Sequence, residues 1–191
     1  MGLNLEKTPL QLFSKKISYI KYIQSIQDDL DKIEKTKMLE RKKHYLNQTY
    51  IIHLVSFWQA FIEELVSYGD RKLLINSDYT ICKKQIDKFN TPSAYGIDKI
   101  FKNVLRINKI TNNFNWDKMT NSKSKRILND IMNLRHRIAH TGFGEMELDI
   151  EKNYEYMKHL YNLAYILQYT IDKEIGIKLE KFEVPYYNNM V

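Results

Sequence analysis

Apolar residues return every three or four positions along most of this chain, and almost nothing interrupts the rhythm. That period lines one face of an α-helix and does not suit the twofold alternation of a half-buried strand. From Leu12 the rhythm is kept by Phe13, Ile17, Ile20, Ile23, Ile26, Leu30 and Ile33, and Thr8-Pro9 ahead of them suits a helix start. The spacing predicts a first helix from about Leu12 to Lys43. Its end, Lys32 to Lys43, holds six basic and two acidic residues, read as a solvated helical end or a phosphate-contacting patch. A second helix is predicted from about Tyr45 to Ile75. Its wide apolar face (Ile51, Leu54, Val55, Trp58, Phe61, Ile62, Leu65, widened by Ile52, Phe57 and Val66) should make it the most buried element. A narrow polar line remains at Ser56, Gln59, Glu63 and Ser67, with Glu64 on its border. A carboxylate there must be paired or reach solvent.

Farther on, Asn76-Ser77-Asp78 and Asn90-Thr91-Pro92-Ser93 carry turn chemistry, with a short helix through Ile81 and Ile86 between them. A helix from about Ala94 to Ile107 turns Ile97, Ile100, Phe101, Val104 and Leu105 inward. An Asn-rich loop, Asn108 to Asn121, holds Trp116, read as an anchor on the bundle. The next helix begins near Ser122, with Ile127, Ile131, Leu134 and Ile138 as its core stripe. It should stop at His140 to Gly142, because Thr141-Gly142-Phe143-Gly144 is a good helix stop. A last helix runs from about Asp149 to Leu179, lined by Ile150, Tyr154, Met157, Tyr161, Ala164, Leu167 and Ile171. Only six Gly and three Pro occur in 191 residues, far below average usage of roughly 12%. The expected fold is all-α: an antiparallel up-down bundle of four main helices with a short helical insertion. One domain is expected over residues 1–181, followed by a loosely held tail, 182–191, interrupted by Pro185.

Much chemistry is excluded at once. The lone Cys82 rules out a disulfide framework and a multi-cysteine zinc site. No apolar run approaches the roughly 20 residues that span a membrane. The start MGLNLEKT has no secretory pattern, and Glu6 breaks the myristoylation pattern, so the simplest address is the cytoplasm. P-loop, Gly-x-Gly-x-x-Gly, Gly-x-Ser-x-Gly and His-Glu-x-x-His patterns are missing. The formal charge of +7 leans towards polyanionic partners.

One stretch stands out, Asn133-Leu134-Arg135-His136-Arg137-Ile138-Ala139-His140-Thr141-Gly142, with two Arg and two His in six residues near a helix end. His136 and His140 are four apart and share a face. Arg135 and His140 are five apart, about 140° around an ideal helix. They converge only through the length of Arg135, a loosened last turn, or a second copy. Arg135 followed by four residues and His140, the polar His136 after the Arg, and the ending Ile138 to Gly142 resemble the HEPN superfamily, in particular its RiboL-PSP-HEPN branch. Trp58 to Leu65 resembles the acidic helix of that superfamily. Where some HEPN toxins have a Tyr two residues after the His, this chain has Gly142.

The resemblance implies a small helical domain that pairs as a homodimer and cuts RNA without a metal or other cofactor. Its Arg and His map onto Arg135 and His140 as catalytic residues. The reaction implied is attack by a ribose 2′-OH, leaving a 2′,3′-cyclic phosphate and a 5′-OH. Imidazole suits proton transfer, and a guanidinium fork suits phosphate oxygens. His136 is expected to position either group, and Glu63 or Glu64 to orient Arg135. Arg137, Lys123, Lys125 and Arg126 are expected to contact RNA. A toxin–antitoxin or phage-defence setting, with an antitoxin or other regulatory protein, is implied by analogy alone. Two rivals stand beside this reading. One is a non-catalytic HEPN module that binds RNA or a protein. The other is a metal site on His136 and His140, with Glu145, Glu147 or Asp149 as a third ligand.

Overall fold

A computed structural model describes residues 7–33, 37–75, 79–142 and 148–176. Among these residues there are six α-helices, one 3-10 turn and no strand. They are α1 (Pro9–Ile33), α2 (Lys37–Leu73), α3 (Tyr79–Asp87), α4 (Ala94–Leu105), a 3-10 turn (Ile110–Asn113), α5 (Asn121–Thr141) and α6 (Ile150–Ile175). The residues expected to form the loose tail lie outside the described ones.

The first helix starts where Thr8-Pro9 placed it. The Thr8 hydroxyl accepts from the Gln11 amide, and the Gln11 side chain accepts from the Thr8 amide. This reciprocal cap satisfies two donors that would otherwise be orphaned. Its end corrects the sequence expectation. α1 stops at Ile33 rather than near Lys43, and α2 begins at Lys37 rather than near Tyr45. The break lies in a run of good helix formers without Gly or Pro, so nothing in the local sequence announces it. Part of that basic run is neutralised, because Lys43 pairs with Asp31 and Lys32 with Asp29.

α2 is the spine and packs against each of the other α-helices. Trp58, Phe61, Ile62 and Leu65 are buried along it. The Trp58 ring lies edge-on to Phe13 at 6.2 Å and stacks on Phe61 at 5.6 Å, and its Nε1–H donates to the Pro92 carbonyl at 2.9 Å. α1 runs antiparallel to α2: Gln27 bonds Asn47 at one end, and Lys16 bonds Glu64 towards the other. α6 runs parallel to α2, through Asn47 to Asn153, Tyr50 to Met157 and Tyr68 to Asp172.

α3 is the short helix expected through Ile81 and Ile86. Ile81 is exposed, and Cys82 is the residue that enters the core. Burial pushes the Cys82 thiol up to about 11, so it is an inert packing residue. Trp116 is an anchor, half-buried against the core with its ring 5.3 Å from that of His159.

His159 makes a test of acid stability. It is buried on α6 beside the Ser124 carbonyl, and burial lowers its pKa from 6.5 to about 4. In the unfolded chain it takes up a proton near pH 6.5; in the folded chain it resists until about pH 4. Its stabilising effect is therefore complete above pH 6.5 and lost as pH falls towards 4, on the order of 3 kcal/mol in all. Urea titrations at pH 7 and pH 4.5 should show a smaller difference in His159→Gln than in the parent chain. Equal differences would show that His159 does not report the acid transition.

Candidate functional site

The sequence of α5 fixes which way its polar groups point. The Thr120 hydroxyl caps its start by accepting from the Lys123 amide. Leu128, Ile131, Leu134 and Ile138 are buried and lock the rotation of the helix. The far end closes at Gly142, which takes the left-handed conformation (φ 70°) and donates its N–H to the Ile138 carbonyl at 3.0 Å. A residue with Cβ is strained there, so glycine is the economical terminator. Thr141 adds a hydroxyl bond to the Arg137 carbonyl at 2.9 Å.

With the rotation locked, His136 and His140 point outward side by side. Both are exposed, and their ring centroids are 4.2 Å apart with a 52° tilt. Asn129, Asn133 and Arg126 are exposed on the same outward side. Arg135 is half-buried on one flank of this face and Arg137 half-buried on the other. Arg135 makes no side-chain hydrogen bond or ion pair with a described residue, and in one chain it does not reach His140. Ile127, expected in the core stripe, is only half-buried at its edge. Lys123 is exposed. Lys125 is turned aside and donates to Asn112 at 3.1 Å. Along α5, Asp130 is the single acid against five Lys and Arg.

Glu63 and Glu64 are placed elsewhere. Glu63 accepts from Gln59 at 2.9 Å, and Gln59 also donates to the Phe89 carbonyl. Glu64 pairs with Lys16 at 2.6 Å, its second oxygen being buried without a partner. Both line a cavity of about 510 Å³ with Lys7, Tyr68, Arg71 and Lys83. Leu148, just ahead of α6, lies towards the other end of α2, where Asn47 donates to its carbonyl at 2.7 Å. Sixteen positions separate Asn47 from Glu63, roughly 24 Å along the axis at about 1.5 Å per residue. Neither carboxylate is bonded to Arg135 within one chain.

Sequence reasoning missed a buried amide group that ties α1, α2 and the start of α6 together. The Asn47 carboxamide oxygen accepts from Gln27 at 2.9 Å and from Asn153 at 3.0 Å. With the Asn47 bond to Leu148, this joins α1, α2 and α6, and all three side chains are buried. The available signal was an amide in an apolar register: Asn153 stands four before Met157 and three after Ile150.

Of the residues considered as a third metal ligand, Glu145 and Glu147 lie outside the described ones. Asp149 caps α6 by accepting from the Lys152 amide at 2.6 Å. Among the described residues no group of three or more His, Cys, Asp or Glu side chains is placed to hold a metal ion. No described helix is long and apolar enough to cross a membrane. Comparison with known proteins gave one result that bears on this geometry: the RiboL-PSP-HEPN family model matches residues 17–176. No curated protein and no solved structure matched.

Proposed function

The chain belongs to the RiboL-PSP-HEPN family, and from that membership we propose that it is a metal-independent endoribonuclease. The observation that carries the reading is the outward face of α5, a basic helix that ends in an exposed His140 with Arg135 on its flank. Cleavage by this face needs a base to take the proton of a ribose 2′-OH as its oxygen attacks the adjacent phosphorus. It also needs positive charge on the phosphoryl oxygens and an acid for the departing 5′-oxygen. His140 serves the proton transfers. Arg135 donates its N–H fork to the phosphoryl oxygens as charge builds there. The bond from phosphorus to the 5′-oxygen breaks, leaving a 2′,3′-cyclic phosphate and a 5′-OH.

Arg135 and His140 diverge on one helix, so one chain offers half of such a site. In the proposed assembly the long helices form an up-down bundle and two copies face each other through α5. The two Arg135 and two His140 side chains then share a cleft, which supplies both an acid and a base. Arg126, Arg137 and Lys123 guide the RNA strand, and His136 supports His140. Lys125 joins the strand only by leaving Asn112. A toxin or phage-defence role, held in check by a partner protein, is the setting this chemistry fits.

The same divergence also favours a second reading, a non-catalytic module that binds RNA through the α5 face. Purified protein incubated with mixed-sequence RNA in EDTA separates the two. Cleavage with cyclic-phosphate ends, and none on an all-deoxy strand of the same sequence, is the outcome expected of the enzyme. RNA held but left intact, with equal affinity in the parent and His140→Ala, would replace the enzyme with the binding module.

A further inference from the structure

We infer that His136 and His140 together form a site for a divalent d-block ion such as Zn2+, and that occupation of this site withdraws His140 from proton transfer. The second clause rests on the endoribonuclease reading; the first does not. The two residues stand four apart on an outward helix face, both exposed, with ring centroids 4.2 Å apart. A zinc–imidazole nitrogen bond is about 2.0–2.1 Å. Two rings this close can therefore each offer a nitrogen lone pair to one ion after a small rotation. Imidazole suits Zn, Cu and Ni, whereas Mg2+ prefers oxygen ligands.

The local field does not forbid the ion. Arg135 and Arg137 occupy the two flanks of α5 and not the histidine face. His140 sits in the last turn, where the helix dipole presents its negative end. Among the described residues no third His, Cys, Asp or Glu completes the set, so water or a second copy's pair fills the remaining positions. A two-nitrogen chelate of this kind exchanges its ion. An imidazole whose lone pair is bound to zinc cannot accept the 2′-OH proton, so the ion acts as an inhibitor and chelators release the enzyme.

The test begins without RNA. Zinc chloride is titrated into the full chain and followed calorimetrically, beside His136→Gln, His140→Gln and magnesium chloride. Saturable zinc binding is expected in the parent, at least tenfold weaker binding in each variant, and no magnesium binding. Both histidines are exposed, so neither substitution threatens the fold. Zinc affinity unchanged in both variants would overturn the site by placing the ion elsewhere, for example at His44 or His53. Cleavage by the parent is then measured in EDTA and with zinc at saturation, and at least a tenfold slowing reversed by EDTA is expected. Zinc bound at the pair with an unchanged rate would overturn the inhibitory role. A parent that does not cut RNA in EDTA would defeat the endoribonuclease reading, while the zinc titration would still decide the site.

Discussion

His140→Ala is expected to slow RNA cleavage by about 10²–10⁴-fold, the usual contribution of a positioned proton-transfer group. The loss should appear in single-turnover rates at saturating protein, because it concerns the chemical step and not the encounter. RNA affinity should move little. His140 is exposed, and among the described residues its ring meets only that of His136, so thermal unfolding of the variant should match the parent. Arg135→Ala should cause a loss of similar size, and Arg135→Lys should recover only part of it, since an ammonium carries the charge without the planar fork. If both Ala variants cut RNA within threefold of the parent rate, α5 is not the catalytic element.

Trp58→Ala is expected to destabilise the domain by about 3–5 kcal/mol. The side chain is fully buried on α2 between Phe13 and Phe61, so truncation leaves a cavity bounded by two helices. It also strands the Pro92 carbonyl, which loses its donor and adds a desolvation cost of about 1–3 kcal/mol of its own. Trp58→Phe separates the two effects, since it keeps most of the packing and removes the bond. Urea midpoints of the three chains check the ordering: parent, then Trp58→Phe, then Trp58→Ala. A loss below about 1 kcal/mol in Trp58→Ala would mean that α2 is not packed as described.

Helix content, core faces and the motif were legible because each leaves a periodic or local mark. Ile51, Leu54, Trp58 and Leu65 announce their burial by spacing alone, and Gly142 announces the end of α5 by its chemistry. The α1–α2 break left no such mark, since helix formers run through Lys32 to Lys43 and only folding back on α1 distinguishes two helices from one. The candidate site divides in the same way. His136 and His140 share a face by arithmetic. The Gln59–Glu63 bond follows from a spacing of four within α2, but that Glu64 engages Lys16 depends on how α1 lies against α2, and that is a tertiary fact. The Gln27–Asn47–Asn153 cluster joins three distant segments, and its local mark is confined to Asn153, an amide in the apolar register of α6.

The central position of α2 also sets an order of events while the chain is being made. α1 can fold back on α2 as soon as both have left the ribosome. The stripe of α2 that carries Asn47, Tyr50 and Tyr68 also bonds α6, between Asn153 and Asp172, and those bonds wait until α6 has been made. α5, with its histidines, emerges earlier, but its Ser124 carbonyl meets His159 only when α6 arrives. Under the proposed function, a nascent chain therefore holds its cutting helix against α2 and α4 but without the backing of α6.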